Sequence, residues 1–358
     1  MRDVEEVRSK ITQDASKNGQ ISSVTVTRNR WVIEPTRSKS SIAADLALNI
    51  ARLRTIQYNF LLEAGWGMRR SLLSTVAHLS PVELSFRLST KKSNLESRST
   101  PYIEPFVILH GLLGSSRNWG SLSSKLAETY QTPVYAVDLR NHGESPHSPI
   151  HDLNAMSADI RHFTESHSLP RVSVIGHSMG AKTAMLFALQ HPKLVARLVI
   201  VDASPLRQEP KSEIDWIERY MVGLEKVMEA KVTSNQAAEA IMLPFAPNVA
   251  IRKFLLTNLK RESDPFPSLH LRPNLPVLKQ YLTKAISEFP VAIGDAEYTG
   301  PTLLIVGTKS KFVNPATYPT IRKYFPNLTV REIDAGHWVQ AEKPNEFLQA
   351  VDDWISPK

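Results

Sequence analysis

From residue 81 onward the chain alternates between two hydrophobic patterns. Val82, Leu84, Phe86 and Leu88 alternate with Glu83, Ser85, Arg87 and Ser89, the period-2 pattern of a strand with one buried face. The folded body is expected to begin there. After a polar stretch (91–104), Pro105-Phe106-Val107-Ile108-Leu109 is continuously apolar, as suits a strand buried on both faces. Further short apolar runs at 134–137, 172–175, 198–201, 303–306 and 328–333 predict strands, and stretches at about 119–129, 154–167, 179–190 and 344–355 predict helices. Strands alternating with helices of this length specify βαβ units, hence an α/β fold with a mostly parallel sheet and helices on both faces. Residues 205–299 break the alternation. They are too long for a simple loop and predict several helices with proline-containing joints, a cap over the carboxyl edge of the sheet. The core is therefore expected to comprise 81–204 and 300–358, with the helical cap at 205–299.

The first 80 residues follow neither pattern. Residues 1–40 are polar, with one short β-like run at Val24-Thr25-Val26, and are expected to be disordered. Ile42, Leu46, Ile50, Leu53 and Phe60 recur at near-helical spacing, which predicts an amphipathic helix within 41–64. Residues 68–80 contain Arg69, Arg70, three serines and no acid, with Leu72, Val76 and Leu79 on one helical face. Arg- and Ser-rich, acid-poor amphipathic segments mark mitochondrial transit peptides. The expectation is that Met68 is the true or an alternative start and 1–67 an N-terminal extension; a short linker helix is the competing reading.

Charge and composition narrow the possibilities. The formal net charge is +8, but residues 1–100 hold 16 Lys and Arg against 9 Asp and Glu, leaving about +1 for the rest. A nucleic-acid partner is not expected, because the basicity does not lie on the folded body. The sequence has no run of 18 apolar residues that would span a membrane. It also has no cysteine, which excludes disulfides, a thiol nucleophile and thiolate metal sites.

Candidate chemistry sits at the strand ends. Residues 171–175 lead into Gly176-His177-Ser178-Met179-Gly180 and then into a predicted helix. In this strand–turn–helix context the turn is so tight that side chains at the outer positions would clash, hence the glycines. The serine is held at the strand end, where the helix N-terminus favours developing negative charge. Ser178 is the candidate nucleophile. His110-Gly111-Leu112-Leu113-Gly114-Ser115 follows the strand ending at Leu109. An oxyanion needs two amide donors; they are assigned to the backbone N–H groups of Leu112 and Met179. A glycine-rich turn without a task is the alternative for the first of these.

A serine hydroxyl also needs a base. Of eleven histidines, His337 in Asp334-Ala335-Gly336-His337-Trp338 lies between the last predicted strand and the last helix, where the order serine, acid, histidine requires one. The acid usually follows the next-to-last strand in a Gly-x-x-Asp turn. Here that turn is Gly307-Thr308-Lys309-Ser310-Lys311-Phe312, and the carboxylate position is Ser310. One strand earlier, the run 198–201 ends in Asp202. Adjacent strands lie about 4.8 Å apart, so this carboxylate could reach the same histidine, fix its tautomer and stabilise its imidazolium form. Asp334 is a rival, though close in sequence to His337, and Asp295 at the cap's exit is another. The non-catalytic reading of Asp202 is a turn-forming or cap-anchoring residue. Asp138 is expected to order a loop, and His142 is not expected to be the base. No histidine–carboxylate spacing suggests a metal, and the glycine-rich segments match neither a dinucleotide-binding nor a P-loop pattern, so no cofactor is expected.

The motifs His110-Gly-Leu-Leu-Gly-Ser, Asp138-Leu-Arg-Asn-His-Gly-Glu-Ser, Gly176-His-Ser-Met-Gly-Ala-Lys, Val201-Asp-Ala-Ser-Pro and Gly336-His-Trp occur in that order. Together they make residues 81–356 resemble the abhydrolase domain-containing protein 11 family of α/β-hydrolases, whose fungal relatives include yeast ethanol acetyltransferase. The resemblance implies an acid after the earlier strand, hence Asp202, and a mitochondrial location. It implies a small-molecule ester or thioester substrate cleaved through an acyl-serine. Transfer of the acyl group to an alcohol is the alternative outcome at the same site, and a non-catalytic scaffold is a further alternative.

Overall fold

The computed structural model describes residues 80–90, 103–206, 211–262, 268–282, 288–290 and 296–356, together with two short strands nearer the N-terminus. Those two, β1 (Val24–Thr27) and β2 (Arg30–Ile33), pair antiparallel with Val24 opposite Ile33. The first covers the β-like run at Val24-Thr25-Val26, the second has no counterpart in the sequence pattern, and the rest of residues 1–40 lie outside the described residues. The helix expected within 41–64 and the leader segment at 68–79 lie outside the described residues.

The larger unit is built on a seven-stranded sheet. Its strands are β3 (Phe86–Ser89), β4 (Phe106–Leu109), β5 (Val134–Val137), β6 (Val172–His177), β7 (Val195–Val201), β10 (Thr302–Gly307) and β11 (Leu328–Ile333). Their spatial order is β11-β10-β7-β6-β4-β5-β3, and only β3 runs antiparallel to its neighbour. Period-2 alternation sends successive side chains to opposite faces. Val107, Leu109, Val174, Leu198, Ile200 and Leu304 face one cluster, where α2 (Leu153–Ser166), α3 (Met179–Gln190) and α8 (Tyr318–Tyr324) pack. Phe106, Ile108, Ile175, Val199, Leu303 and Ile305 face the other, which is covered by α1 (Gly120–Tyr130), the short α9 (Val339–Glu342) and α10 (Pro344–Ile355).

Within the sheet unit, β3 and α8 differ from the sequence pattern. The alternation at 82–88 forms a strand only over Phe86–Ser89, at the sheet edge, and of its apolar positions Leu84 is buried while Leu88 is half exposed. An edge strand has one partner and one covered flank, so alternation alone overstates both its length and its burial. Helix α8 has no counterpart in that pattern: it is seven residues long and buries Ile321 alone.

The insertion carries α4 (Lys211–Glu229), α5 (Asn235–Met242), α6 (Val249–Leu256) and α7 (Leu275–Gln280). Between α6 and α7 lies an unforeseen antiparallel hairpin of β8 (Leu259–Glu262) and β9 (Ser268–Leu271). Its exposed, charged first strand lacks the apolar alternation that announces a strand. The cap has its own core of Met221, Leu224, Val227, Met242, Leu255 and Leu278, which also takes in Leu113 and Phe312 from the loops after β4 and β10. Asn258 Nδ2 donates to Leu113 O at 2.8 Å, and Asn274 N–H donates to Asn141 O at 3.0 Å, so the cap is stitched to loops at the sheet's carboxyl edge. No helix among the described residues is long and apolar enough to cross a membrane.

One buried group is poorly satisfied. His151, just before α2, has no exposed surface and neither ring nitrogen has a hydrogen-bond partner. Burial first, then the nearby Arg140 charge, lowers its pKa to about 3. Between that value and the unfolded value of about 6.5, the unfolded chain binds a proton that the native state does not. Stability therefore rises with pH up to about 6.5 and is lost below it, by about 1.4 kcal/mol per pH unit for this ring. Replacing it by His151→Leu is expected to leave the melting temperature at pH 7 unchanged or higher and to flatten its fall between pH 6.5 and 5. Thermal melts across that range check both, and a drop of several degrees at pH 7 would contradict the account.

Candidate active site

The carboxyl ends of β4, β6, β7, β10 and β11 converge under the cap. Ser178 stands between the end of β6 and the first residue of α3, with φ 54° and ψ −120°. A non-glycine residue in that region stores about 1–3 kcal/mol of strain. The neighbours hold it there. Ser178 N–H donates to Val201 O at 3.0 Å. A Cβ on Gly176 would lie 2.4 Å from Gly180 O, and one on Gly180 would lie 2.4 Å from Leu109 O. Only glycine lets the elbow close this tightly against itself and against β4.

His337 reaches the serine from the loop after β11. Its Nε2 lies 3.0 Å from Ser178 Oγ, and its Nδ1 lies 2.7 Å from Asp202 Oδ2. An ionised carboxylate can only accept, so Nδ1 carries the proton and the Nε2 lone pair faces the serine hydroxyl. Phe312 stacks on the imidazole, with ring centroids 3.9 Å apart and planes at 23°. On another side His177 Nε2 donates to His337 O at 2.9 Å. Burial and the adjacent His337 push the His177 pKa well below the usual imidazole range, so it stays neutral and works as a fixed donor.

Asp202 follows β7 and is fully buried. Its N–H donates to Ile305 O at 2.8 Å, which continues the β7–β10 ladder and fixes where the carboxylate begins. Gly307 N–H donates to Oδ1 at 3.1 Å, and the Ser310 hydroxyl donates to Oδ2. Ser310, at the position where a carboxylate was expected and missing, thus supports the carboxylate that stands one strand away. Asp334 is not brought to the ring's acid-facing side: its side chain is 69% exposed and pairs with Lys309 at 2.9 Å. Asp295 lies outside the described residues.

The loop after β4 is anchored by two buried histidines. Gly111 O accepts from His110 Nδ1 at 2.7 Å and from Gly114 N–H at 2.9 Å. In a planar trans peptide the N–H points opposite the C=O. Anchoring the Gly111 carbonyl therefore aims the Leu112 N–H the other way. His110 Nε2 accepts Leu139 N–H at 2.9 Å, and His142 Nε2 accepts Leu113 N–H at 3.1 Å. These roles require neutral rings, and burial lowers the pKa of both. Met179, as the first residue of α3, has an N–H with no carbonyl one turn earlier in that helix to bond. Asp138 accepts from Ser116 N–H at 2.6 Å and Glu144 N–H at 2.9 Å, ordering the adjoining loop as expected of it.

A cavity of about 570 Å³ opens over Ser178, its walls including Leu113, Trp119, Ile217, Tyr220, Phe254 and Trp338. Apolar walls with a few convergent polar groups are the ordinary make-up of a small-molecule site. Sequence reasoning missed His110, His177, Ser310 and Phe312. His177 and His110 stood inside motifs already singled out, and Ser310 was noticed only for the carboxylate it lacks.

Residues 104–344 match the α/β hydrolase fold family. The chain is 38% identical to an sn-1-specific diacylglycerol lipase of Mus musculus, over 78% of this chain and 87% of that protein. It is 35% identical to a probable alcohol acetyltransferase of Saccharomyces cerevisiae, over 77% of this chain and 84% of the relative. Among solved structures, a marine microorganism esterase is 32% identical with a TM-score of 0.68, covering 76% of this chain and 99% of its own.

The packing around the elbow gives a direct test. A Cβ on Gly111 would lie 2.8 Å from His177 Nδ1 and 3.2 Å from Ser178 Cβ, whereas one on Gly120 meets nothing within 4 Å. Gly111→Ala is expected to lower kcat on 4-nitrophenyl butyrate by about 100-fold, the usual cost of misplacing reacting groups by about 1 Å. Gly120→Ala should leave it unchanged; equal effects of the two would refute the argument from close packing.

Proposed function

The chain belongs to the α/β hydrolase fold family, and from that premise we propose that it cleaves carboxylic esters or thioesters through an acyl-serine on Ser178. The observation that carries this reading is the unbroken line from Ser178 Oγ to His337 Nε2 at 3.0 Å and from His337 Nδ1 to Asp202 Oδ2 at 2.7 Å, at the floor of an apolar cavity.

In this mechanism His337 takes the hydroxyl proton as Ser178 Oγ bonds to the substrate carbonyl carbon. The oxyanion is held by the Leu112 and Met179 N–H groups, each contributing roughly 3 kcal/mol to the transition state. Imidazolium, stabilised by Asp202, then protonates the leaving alcohol or thiol as its bond to the carbonyl carbon breaks. Water then attacks the acyl carbon while giving up a proton to His337; the bond from that carbon to Ser178 Oγ breaks, His337 returns the proton to Oγ, and the carboxylic acid leaves.

A second reading rests on the Saccharomyces cerevisiae relative described as a probable alcohol acetyltransferase. In that reading an alcohol takes the place of water and the product is a new ester. Supplying acetyl-CoA and ethanol, then assaying ethyl acetate against acetate, separates the two outcomes. We also propose a mitochondrial location, supported by the arginine- and serine-rich, acid-free segment 68–80. With Met68 as the true or an alternative start of that leader, N-terminal peptide mapping of the endogenous protein is expected to yield few peptides from 1–67; their abundance would overturn that start.

For the catalytic assignment, a fluorophosphonate probe is expected to label the wild type and not Ser178→Ala. Asp202→Asn should lower kcat by about 10⁴-fold through the wrong imidazole tautomer, while Asp334→Asn stays near wild type. Unlabelled but well-folded wild type, or the reverse order of the two aspartate variants, would overturn the assignment.

A further inference from the structure

The turn after β10 has no part in the mechanism so far, yet it touches the acid–base pair from two directions. Its Ser310 hydroxyl donates to Asp202 Oδ2, the oxygen that also accepts His337 Nδ1–H. The same hydroxyl oxygen accepts Phe312 N–H at 3.2 Å. Phe312 is the residue whose ring stacks on the imidazole. Ser310 N–H closes the turn onto Gly307 O at 2.9 Å, and Gly307 N–H holds the other carboxylate oxygen. One side chain is thus bonded both to the acid and to the backbone that carries the aromatic wall of the base.

We propose that Ser310 is a positioning residue for the Asp202–His337 pair, its hydroxyl fixing the carboxylate and the Phe312 ring in the one arrangement that points Nε2 at Ser178. The inference rests on the Ser178–His337–Asp202 reading given above. The other ionisable groups near the pair have partners of their own. His177, on β6, donates to His337 O. Tyr318, at the start of α8, bonds Glu332 at 3.0 Å. Lys309 pairs with Asp334 at 2.9 Å, and Lys311 with Glu213 of the cap at 3.7 Å. The lysines on either side of Ser310 are therefore held by carboxylates other than Asp202.

The chemistry explains why a hydroxyl suits this place. A second carboxylate at 310 would face Asp202 at hydrogen-bond distance, and like charges so close resist joint ionisation. A hydroxyl supplies a proton donor without charge and lets a fully buried carboxylate remain an acceptor. Without it, Oδ2 keeps only the histidine as a partner, the carboxylate becomes a stronger base, and it holds imidazolium more tightly. The ring should then stay protonated to higher pH and, with Phe312 unfastened, meet the serine less often in line.

The test compares Ser310→Ala and Ser310→Thr with wild type on 4-nitrophenyl butyrate across pH 5–9, alongside fluorophosphonate labelling and thermal melts. Ser310→Ala is expected to fold, to keep KM, and to lose about 10- to 100-fold in kcat, as for one hydrogen bond to a charged group. The acid-side midpoint of its kcat/KM profile should move to higher pH. Ser310→Thr, which keeps the hydroxyl, should recover most of the rate and the wild-type midpoint. A folded Ser310→Ala with unchanged kcat and midpoint overturns the proposal, as does a folded Ser310→Thr as impaired as alanine. Failure of the underlying triad reading looks different: wild type itself would resist the fluorophosphonate, whatever residue 310 is.

Discussion

The arrangement at the sheet edge depends on one buried carboxylate. Asp202 has no exposed surface, and moving an ionised carboxylate out of water costs several kcal/mol unless its oxygens are satisfied. Three donors meet it: Gly307 N–H, the Ser310 hydroxyl and His337 Nδ1–H. They come from the end of β10, the turn after it and the loop after β11, so satisfying this one group fixes the relative positions of three segments. The β7–β10–β11 register is what allows it, because Ile305 pairs with Val201 and Gly307 with Ile333 at the strand ends. A slip of one residue would turn every side chain to the other face and remove the carboxylate from the histidine.

That dependence explains which parts of the site were legible in the sequence. The elbow around Ser178 announces itself because its constraint is local: a buried strand, two glycines that a Cβ would force apart, and a helix. The position of His337 follows from chain order. Asp202 is legible through a gap, the missing carboxylate at Ser310, together with the rule that parallel strands end at one edge, and the family resemblance points to the same residue. What the gap could not disclose was that Ser310 itself would bond to the displaced acid. A serine in a turn carries no pattern, and its partner lies 108 residues away. The same holds for His110 and His142, whose partners are backbone groups of other loops.

The fold divides in the same way. Strands buried on both faces and helices with long apolar stripes were located closely, since burial there is written as periodicity. Edge strand β3, the β8–β9 hairpin and the short α8 were misjudged or missed because their stability comes from neighbours rather than from their own apolar pattern. The β8–β9 pair is held in the cap through one buried residue, Leu269, and through Arg272 just beyond it, whose guanidinium bonds Leu259 O at 2.7 Å and Glu144 at 2.8 Å.

The cap and the loop after β4 are not independent parts. Leu113 belongs to the loop after β4, yet its side chain packs in the cap's core, its carbonyl accepts from Asn258 of the cap, and its N–H is held by His142. The peptide that aims the Leu112 N–H is therefore braced on one side by neutral histidines of the body and on the other by the cap. In the proposed mechanism, the cap that meets the acyl chain thus also braces the residue next to an oxyanion donor. Substrate fit and transition-state stabilisation are then coupled through Leu113 and also through Phe312, which packs in the same core and stacks on His337. Such coupling lets binding energy from a remote acyl chain be used at the reacting carbonyl. It also bears on hydrolysis against transfer, because the cap that holds Leu113 forms the cavity walls at Ile217, Tyr220 and Phe254, and so governs what reaches the acyl-serine.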